Sequence, residues 1–211
     1  MKMTAIRTLC LLFLVAGSAL ADDSNNEWIS MFNGRDLDGW KVNENKDSVK
    51  VDDGMLIIDG PRAHAFFAGS TGNADFKDFH FQAQVKTTQG SNSGIYFHTE
   101  YQDSGWPSKG YECQVNNTHG DPKKTGGLYG IQDNFEAPAK DGEWFNYDII
   151  VKGKHIVVQI NGKTISDYTE PEDAERNGEF KNRLVSSGTF AIQAHDPKSV
   201  VYFRNIRVKK L

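Results

Sequence analysis

The chain has 211 residues, in which 28 aspartate and glutamate residues outnumber 24 lysine and arginine residues and give a formal net charge of −4. The basic residues form no cluster, which excludes the electrostatic footprint of a nucleic-acid-binding protein. The length is ample for an ordinary hydrophobic core, and only two cysteines are present.

The first 21 residues predict a secretory signal peptide. Lys2 and Arg7 precede an apolar run, residues 9–20, which closes on the small-residue pattern Ala19-Leu20-Ala21. This run is shorter than the ~20 residues that a membrane-spanning helix needs. We therefore expect cleavage after Ala21, a periplasmic or extracellular mature protein, and a single domain over residues 22–211.

Cleavage would also change the cysteine count and the charge. Cys10 would leave with the leader, so that Cys113 would be the only cysteine of the mature chain and no intrachain disulfide could form. The loss of Lys2 and Arg7 would leave 22 basic against 28 acidic residues, a formal charge of −6.

Alternation of apolar and polar residues recurs along the mature chain and predicts half-buried strands. Asp53-Gly54 and Asn161-Gly162 lie between apolar runs and predict tight hairpins. Only residues 171–176 look briefly helical. The predicted strands are, in chain order, 49–51, 55–58, 79–86, 94–99, 111–115, 144–152, 156–160, 163–165, 189–195 and 200–209. Many short strands with abundant glycine indicate an all-β sandwich or barrel.

Three of these strands carry polar groups opposite their apolar residues. The polar residues are Tyr96 and His98, then Glu112 and Gln114, and finally Gln193 and His195. If the strands are neighbours, these side chains line one face and could bind a sugar or move a proton. The alternative is the ordinary solvent-facing side of an antiparallel sheet.

Two long irregular stretches, residues 100–110 and 116–127, separate predicted strands. Loops of this length in compact domains are usually functional. Trp106 and Tyr129 lie in or beside them, and aromatic rings of this kind can stack on the C–H faces of a pyranose. Core packing is the alternative role for both residues.

Common hydrolytic signatures are absent from the sequence. It contains no Gly-x-Ser-x-Gly elbow, no phosphate-binding loop, no His-Glu-x-x-His and no cysteine metal cluster. A glycosidase with two carboxylates is harder to exclude, although Gln114 stands where a second acid would share a strand face with Glu112.

An ordered set of segments resembles the 3-keto-disaccharide hydrolase family across essentially the whole mature chain. The segments are FNGRDLDGW (32–40), NSGIYF (92–97), GYECQV (110–115), TGGLYG (125–130), GEWFN (142–146), NG (161–162), QAH (193–195) and FRNI (203–206). The resemblance implies a concanavalin-like jelly roll of two curved antiparallel sheets. It also implies cleavage of glycosides already oxidised at C3, by elimination across C1–C2 and then addition of water.

Such chemistry needs a base at C2, a donor to the oxygen at C3 and an acid for the leaving oxygen. With the resemblance, His195 is assigned as the base and Glu112 as its partner or as a ligand of a substrate hydroxyl, while the reverse assignment stays open. The other expected substrate-binding residues are Asn92, Tyr96, His98, Trp106, Gln114, Tyr129 and Gln193.

Several further expectations accompany this assignment. His98 departs from the family, whose members often carry arginine there, and Asp196 is expected to point away from His195 because strand neighbours alternate. No cofactor or metal cluster is predicted, and oxidation at C3 would fall to a separate dehydrogenase. The main alternative is a non-catalytic carbohydrate-binding module, since fold does not determine function. A structural domain of an envelope assembly is a third possibility.

Overall fold

The structure is a computed structural model that describes residues 27–69 and 74–211. The predicted signal peptide and its cleavage site lie outside the described residues. The strands are β1 (Ile29–Ser30), β2 (Trp40–Val42), β3 (Val49–Asp52), β4 (Met55–Asp59), β5 (Ala63–Phe67), β6 (Phe79–Thr87), β7 (Ser93–Thr99), β8 (Tyr111–Val115), β9 (Phe145–Lys152), β10 (His155–Ile160), β11 (Lys163–Thr169), β12 (Thr189–Ala194) and β13 (Val200–Lys210). Two short 3₁₀ helices, Lys46–Ser48 and Gly178–Phe180, accompany them.

The strands form two antiparallel sheets, which confirms the predicted all-β sandwich. The larger sheet has the order β11-β10-β9-β6-β13-β4-β3, with β1 paired to β13. The smaller sheet has the order β2-β5-β12-β7-β8. In the smaller sheet β12 and β7 are neighbours, and so are β7 and β8, as the predicted polar face requires. Among the described residues, no helix is long and apolar enough to span a membrane.

Both predicted hairpins are present. Asp52 pairs with Met55 around Asp53-Gly54, and Ile160 pairs with Lys163 around Asn161-Gly162. All four turn residues have positive φ, between 45° and 77°, which matches the two-residue turns that Asx-Gly pairs favour. The brief helix predicted at 171–176 is wrong: the segment forms turns, because it is short and presents no apolar face that could be buried.

The core lies between the two sheets. Phe79 and Phe81 of β6 are fully buried and pack against Phe190 of β12, with ring centroids 4.8 and 5.0 Å apart. Burial of such a side chain stabilises the fold by roughly 1.5–3 kcal/mol. Cys113 is buried here as well. Since alternate residues of β7, β8 and β12 fill this core, the residues between them project from the opposite face of the smaller sheet.

Candidate active site

A cleft of about 480 Å³ lies on the face of the smaller sheet turned away from the core. Its floor comes from β7, β8 and β12, and the segments 106–108 and 178–183 form walls. Eight of the nine predicted site residues line it, namely Asn92, Tyr96, Trp106, Glu112, Gln114, Tyr129, Gln193 and His195. The sheet order therefore brings together side chains that the sequence could only place on separate strands.

Gly94 makes room for the central carboxylate. Tyr96 pairs with Glu112, so that the two side chains share the cleft face, and Gly94 precedes Tyr96 by two residues on that face. A Cβ atom at Gly94 would lie 2.7 Å from Oε1 of Glu112. Any side chain at this position would displace the carboxylate from the floor.

Both oxygens of the Glu112 carboxylate accept charge-assisted or amide hydrogen bonds. Nη2 of Arg183 donates to Oε2 at 3.0 Å, and Nε2 of Gln193 donates to Oε1 at 3.0 Å. Nε2 of Gln193 also lies 3.0 Å from the phenol oxygen of Tyr96. Burial, and then the charge of Glu112, raise the pKa of Tyr96 well above its ordinary value. Glu112 is thus held in a buried ion pair with fixed geometry.

Arg183 is a site residue that the sequence did not reveal. It lies just after the 3₁₀ helix Gly178–Phe180, and its Nη1 donates to the carbonyl oxygen of Tyr129 at 2.9 Å. Its guanidinium carbon is 4.7 Å from the centroid of the Phe180 ring. The segment around Arg183 has no alternation of apolar and polar residues. The one sequence signal for a functional role is the length of the connection between β11 and β12.

His195 is oriented by its neighbour Asp196, which corrects the expectation that the two side chains point apart. Strand β12 ends at Ala194, so that alternation no longer applies, and Nδ1 of His195 lies 2.9 Å from Oδ2 of Asp196. Burial alone would raise the pKa of Asp196, but hydrogen bonds from Ser199 and His195 hold it below its ordinary value. An ionised Asp196 keeps the proton of His195 on Nδ1 and leaves the Nε2 lone pair available.

A second imidazole, His119, stands beside this pair. The rings of His119 and His195 have centroids 5.5 Å apart, and Nε2 of His119 is 4.0 Å from Oδ2 of Asp196. One ligand atom from each of the three residues lies within 4.8 Å of the others, so they could hold a metal ion. The sequence showed no such cluster, because the loop carrying His119 is distant in sequence. Nδ1 of His119 already accepts the backbone N–H of Asp121 at 3.1 Å.

His98 lies outside the cleft, unlike the prediction. Its φ is +55°, and the pairing of β12 with β7 shifts register between Thr189 and Ala191, so that alternation breaks at this point. Its Nε2 donates to the carbonyl oxygen of Lys77 at 2.8 Å, while Nδ1 accepts the backbone N–H of Ser186 at 3.2 Å. Burial lowers the pKa of His98. The ring is a packed, hydrogen-bonded part of the structure rather than a lining group.

Residues 27–209 match the family described as the 3-keto-alpha-glucoside-1,2-lyase-like domain. The chain belongs to this family. Solved structures with the same fold include a presumed glycosyl hydrolase from Parabacteroides distasonis, which is 21% identical with a TM-score of 0.72 and covers 92% of this chain and 98% of its own. No curated protein matches the chain.

More distant solved structures share the fold alone. A non-specific endo-β-1,3(4)-glucanase is 13% identical, with a TM-score of 0.57, and covers 90% of this chain and 93% of its own. The carbohydrate-binding module CBM66 from Bacillus subtilis is 11% identical, with a TM-score of 0.51, and covers 89% of this chain and 98% of its own. Family membership supports a carbohydrate-active function, and the fold itself serves both enzymes and binding modules.

Proposed function

We propose that this chain is an exported enzyme that cleaves 3-keto-glycosides by elimination across C1–C2 and then hydrates the product, for a net hydrolysis. The observation that carries the proposal is the His195–Asp196 pair beside the cleft of a chain in this family. Nδ1 of His195 donates to the carboxylate, so that Nε2 can accept a proton as a general base does.

The ketone at C3 makes this simple site sufficient. It acidifies the proton at C2, which passes to Nε2 of His195 while negative charge develops on the C3 oxygen. The Arg183 guanidinium lines the cleft, has N–H groups beyond those that bind Glu112 and Tyr129, and is the group that could stabilise this charge. The C1–O bond then breaks, and the departing oxygen takes a proton. Addition of water places hydroxyl on C1 and a proton on C2, so no electrons are gained or lost overall.

Glu112 fits the role of an organising carboxylate better than that of the base. Both of its oxygens already accept hydrogen bonds, from Arg183 and from Gln193. Proton transfer to it would weaken a buried ion pair. The proton for the leaving oxygen could come from Tyr129, since burial raises its pKa and keeps the phenol protonated.

The floor also has an unused acceptor. Oε1 of Gln193 is buried and has no hydrogen-bond partner in the part of the chain that the structure describes. Because an unpaired buried acceptor is costly, it fits a site completed by a ligand hydroxyl. A pyranose offers such donors, and about 480 Å³ is within the size range of small-molecule sites.

Turnover tests the proposal directly. The mature chain is incubated with methyl 3-keto-α-glucopyranoside and with the unoxidised glucoside, and the products are followed by mass spectrometry. We expect release of 3-keto-glucose from the oxidised substrate only, and strong loss of release with His195→Ala. Binding of the sugar without any product would instead support a carbohydrate-binding module, which the likeness to CBM66 keeps as the second candidate.

A partner enzyme and a compartment follow from the proposal. The reaction is redox-neutral, so oxidation at C3 would come from a separate dehydrogenase acting first. Export rests on the leader at residues 1–21 and would place both steps in the periplasm or outside the cell.

A further inference from the structure

His64 is a buried polar side chain on β5, the strand next to the cleft-floor strand β12. It pairs with Gln193 in the register of β5 with β12, so that both side chains lie on the cleft face of the smaller sheet. His64 is fully buried, and neither ring nitrogen has a hydrogen-bond partner among residues 27–69 and 74–211. Orphaned buried nitrogens of this kind are costly and uncommon in folded proteins.

The indole ring of Trp106 covers His64. The two ring centroids are 5.7 Å apart at 82°, and Tyr96 lies edge-on at 5.5 Å. Trp106 is 45% exposed although it is a large apolar residue, and its ring also lies 5.4 Å from that of His195. A rotation of one partly exposed side chain would therefore open His64 to the cleft.

The loop that carries Trp106 is tied mainly to itself. The side chain of Gln102 donates to the carbonyl oxygens of Ser104 and Trp106 and accepts the backbone N–H of Ser108. The loop also contacts the rest of the described chain. The backbone N–H of Gly105 donates to Glu44 at 3.0 Å, the carbonyl oxygen of Gln102 accepts from Asn43 at 3.3 Å, and the guanidinium carbon of Arg62 lies 5.2 Å from the centroid of the Trp106 ring. The loop can thus shift as a unit without loss of its internal hydrogen bonds.

The order of the strands places His64 at one end of a row of residues on the cleft face of the smaller sheet. His64 pairs with Gln193 and Gly94 pairs with Gln114, and the adjacent pair Ile192–Ile95 places Gln193 beside Gly94, so that these four residues follow one another across the smaller sheet from β5 to β8. Three strand spacings of about 4.8 Å make this row roughly 14 Å long, enough for two pyranose rings laid across the strands. When one ring lies over Gly94, beside Glu112, a second ring that extends toward β5 reaches the position of His64.

We propose that His64 is a further sugar-binding residue, uncovered when Trp106 moves, which hydrogen bonds to a sugar leaving group at C1. This inference rests on the proposed function, because it assumes cleavage of a 3-keto-glycoside. It adds a residue that recognises the group at C1. His64 binds as a neutral imidazole, with one nitrogen donating to a hydroxyl and the other accepting from one. Trp106 then stacks beside the second ring instead of covering the histidine.

Two substrates that differ only at C1 test the assignment. Methyl 3-keto-α-glucopyranoside has no second ring, whereas 3-keto-trehalose has one. We expect His64→Phe to raise the KM for 3-keto-trehalose by about tenfold, the scale of one or two neutral hydrogen bonds, and to leave the KM for the methyl glycoside unchanged. His64→Gln should restore part of the loss. Phe66→Leu, on the same strand face, is the matched packing control and should affect both substrates alike.

Equal effects of His64→Phe on the two substrates, or none, would overturn the assignment. A binding measurement separates this result from failure of the proposed function. In ¹⁵N-histidine spectra of the wild-type protein, trehalose at saturating concentration should shift the ring nitrogens of His64, and methyl α-glucopyranoside should not. If trehalose binds and the ¹⁵N signals of the His64 ring do not shift, the role of His64 is refuted. This result would hold even if neither 3-keto substrate were turned over.

Discussion

Replacement of His64 by phenylalanine should remove a pH-dependent part of the free energy of unfolding. Burial lowers the pKa of His64 from its ordinary value of 6.5 to about 3, because the charged ring would lose its hydration. The unfolded chain therefore binds more protons than the folded chain between these two values, and stability falls as the pH drops below 6.5. The stabilisation is fully present above the pKa of the unfolded state.

The size of the effect follows from the pKa difference. A pH of 5 is about 1.5 units below the pKa of His64 in the unfolded chain, so the residue is almost fully protonated there. In the folded chain His64 is still neutral at this pH. At 1.36 kcal/mol per unit, this one group costs about 2 kcal/mol of stability between pH 7.5 and pH 5. Phenylalanine at this position does not titrate. Between pH 7.5 and pH 5 the free energy of unfolding should therefore fall by about 2 kcal/mol less in the His64→Phe variant than in the wild type.

Urea unfolding followed by tryptophan fluorescence measures the two free energies at each pH. His64→Gln, also neutral throughout, should behave like His64→Phe, whereas Phe66→Leu, which removes no titratable group, should keep the pH dependence of the wild type. Any constant packing cost of the substitution cancels in the difference between the two pH values. Equal losses for the wild type and His64→Phe would refute the inference that His64 is held neutral by burial.

Four further predictions concern the site and the core. Asp196→Asn should lower kcat by about 100-fold or more with little change in KM, because His195 loses its orienting acceptor, and an unchanged kcat in steady-state assays would contradict this role. Glu112→Gln should abolish most turnover and also destabilise the fold by about 3 kcal/mol, since it leaves Arg183 as an uncompensated buried charge; an unchanged thermal midpoint would argue against the ion pair. Trp106→Ala should raise KM severalfold, and identical Michaelis constants would remove Trp106 from substrate binding. A thiol reductant should leave the midpoint unchanged because Cys113 is a buried thiol, and a marked fall would reveal a disulfide.

The features that can be predicted from the sequence are those set by local patterns, namely two-residue turns and the alternation of side chains along a strand. The two Asx-Gly hairpins follow from two-residue turns, and Glu112, Gln114 and Gln193 reach one face because strand residues alternate. These signals lie within a few residues of one another, so the sequence alone contains them.

The remaining site residues come from departures from that repeat. His98 leaves the cleft face because its backbone is left-handed, and Asp196 turns toward His195 because β12 ends two residues earlier. Arg183 and His119 reach the site from irregular loops, where no periodicity constrains the direction of a side chain. His64 stands in a strand whose residues are all buried, so alternation gave no sign of which face it occupies.

Deuterium incorporation at C2 tests the proposed elimination most directly. The wild-type protein is given a 3-keto-α-glucoside in deuterated water, and the released 3-keto-glucose is examined by NMR at early times against an enzyme-free control. Proton abstraction from C2 by His195, followed by addition of solvent, predicts deuterium at C2 of the product above the control and its loss with His195→Ala. Full conversion to product that carries no deuterium at C2 above the control would contradict elimination and would point to direct displacement at C1.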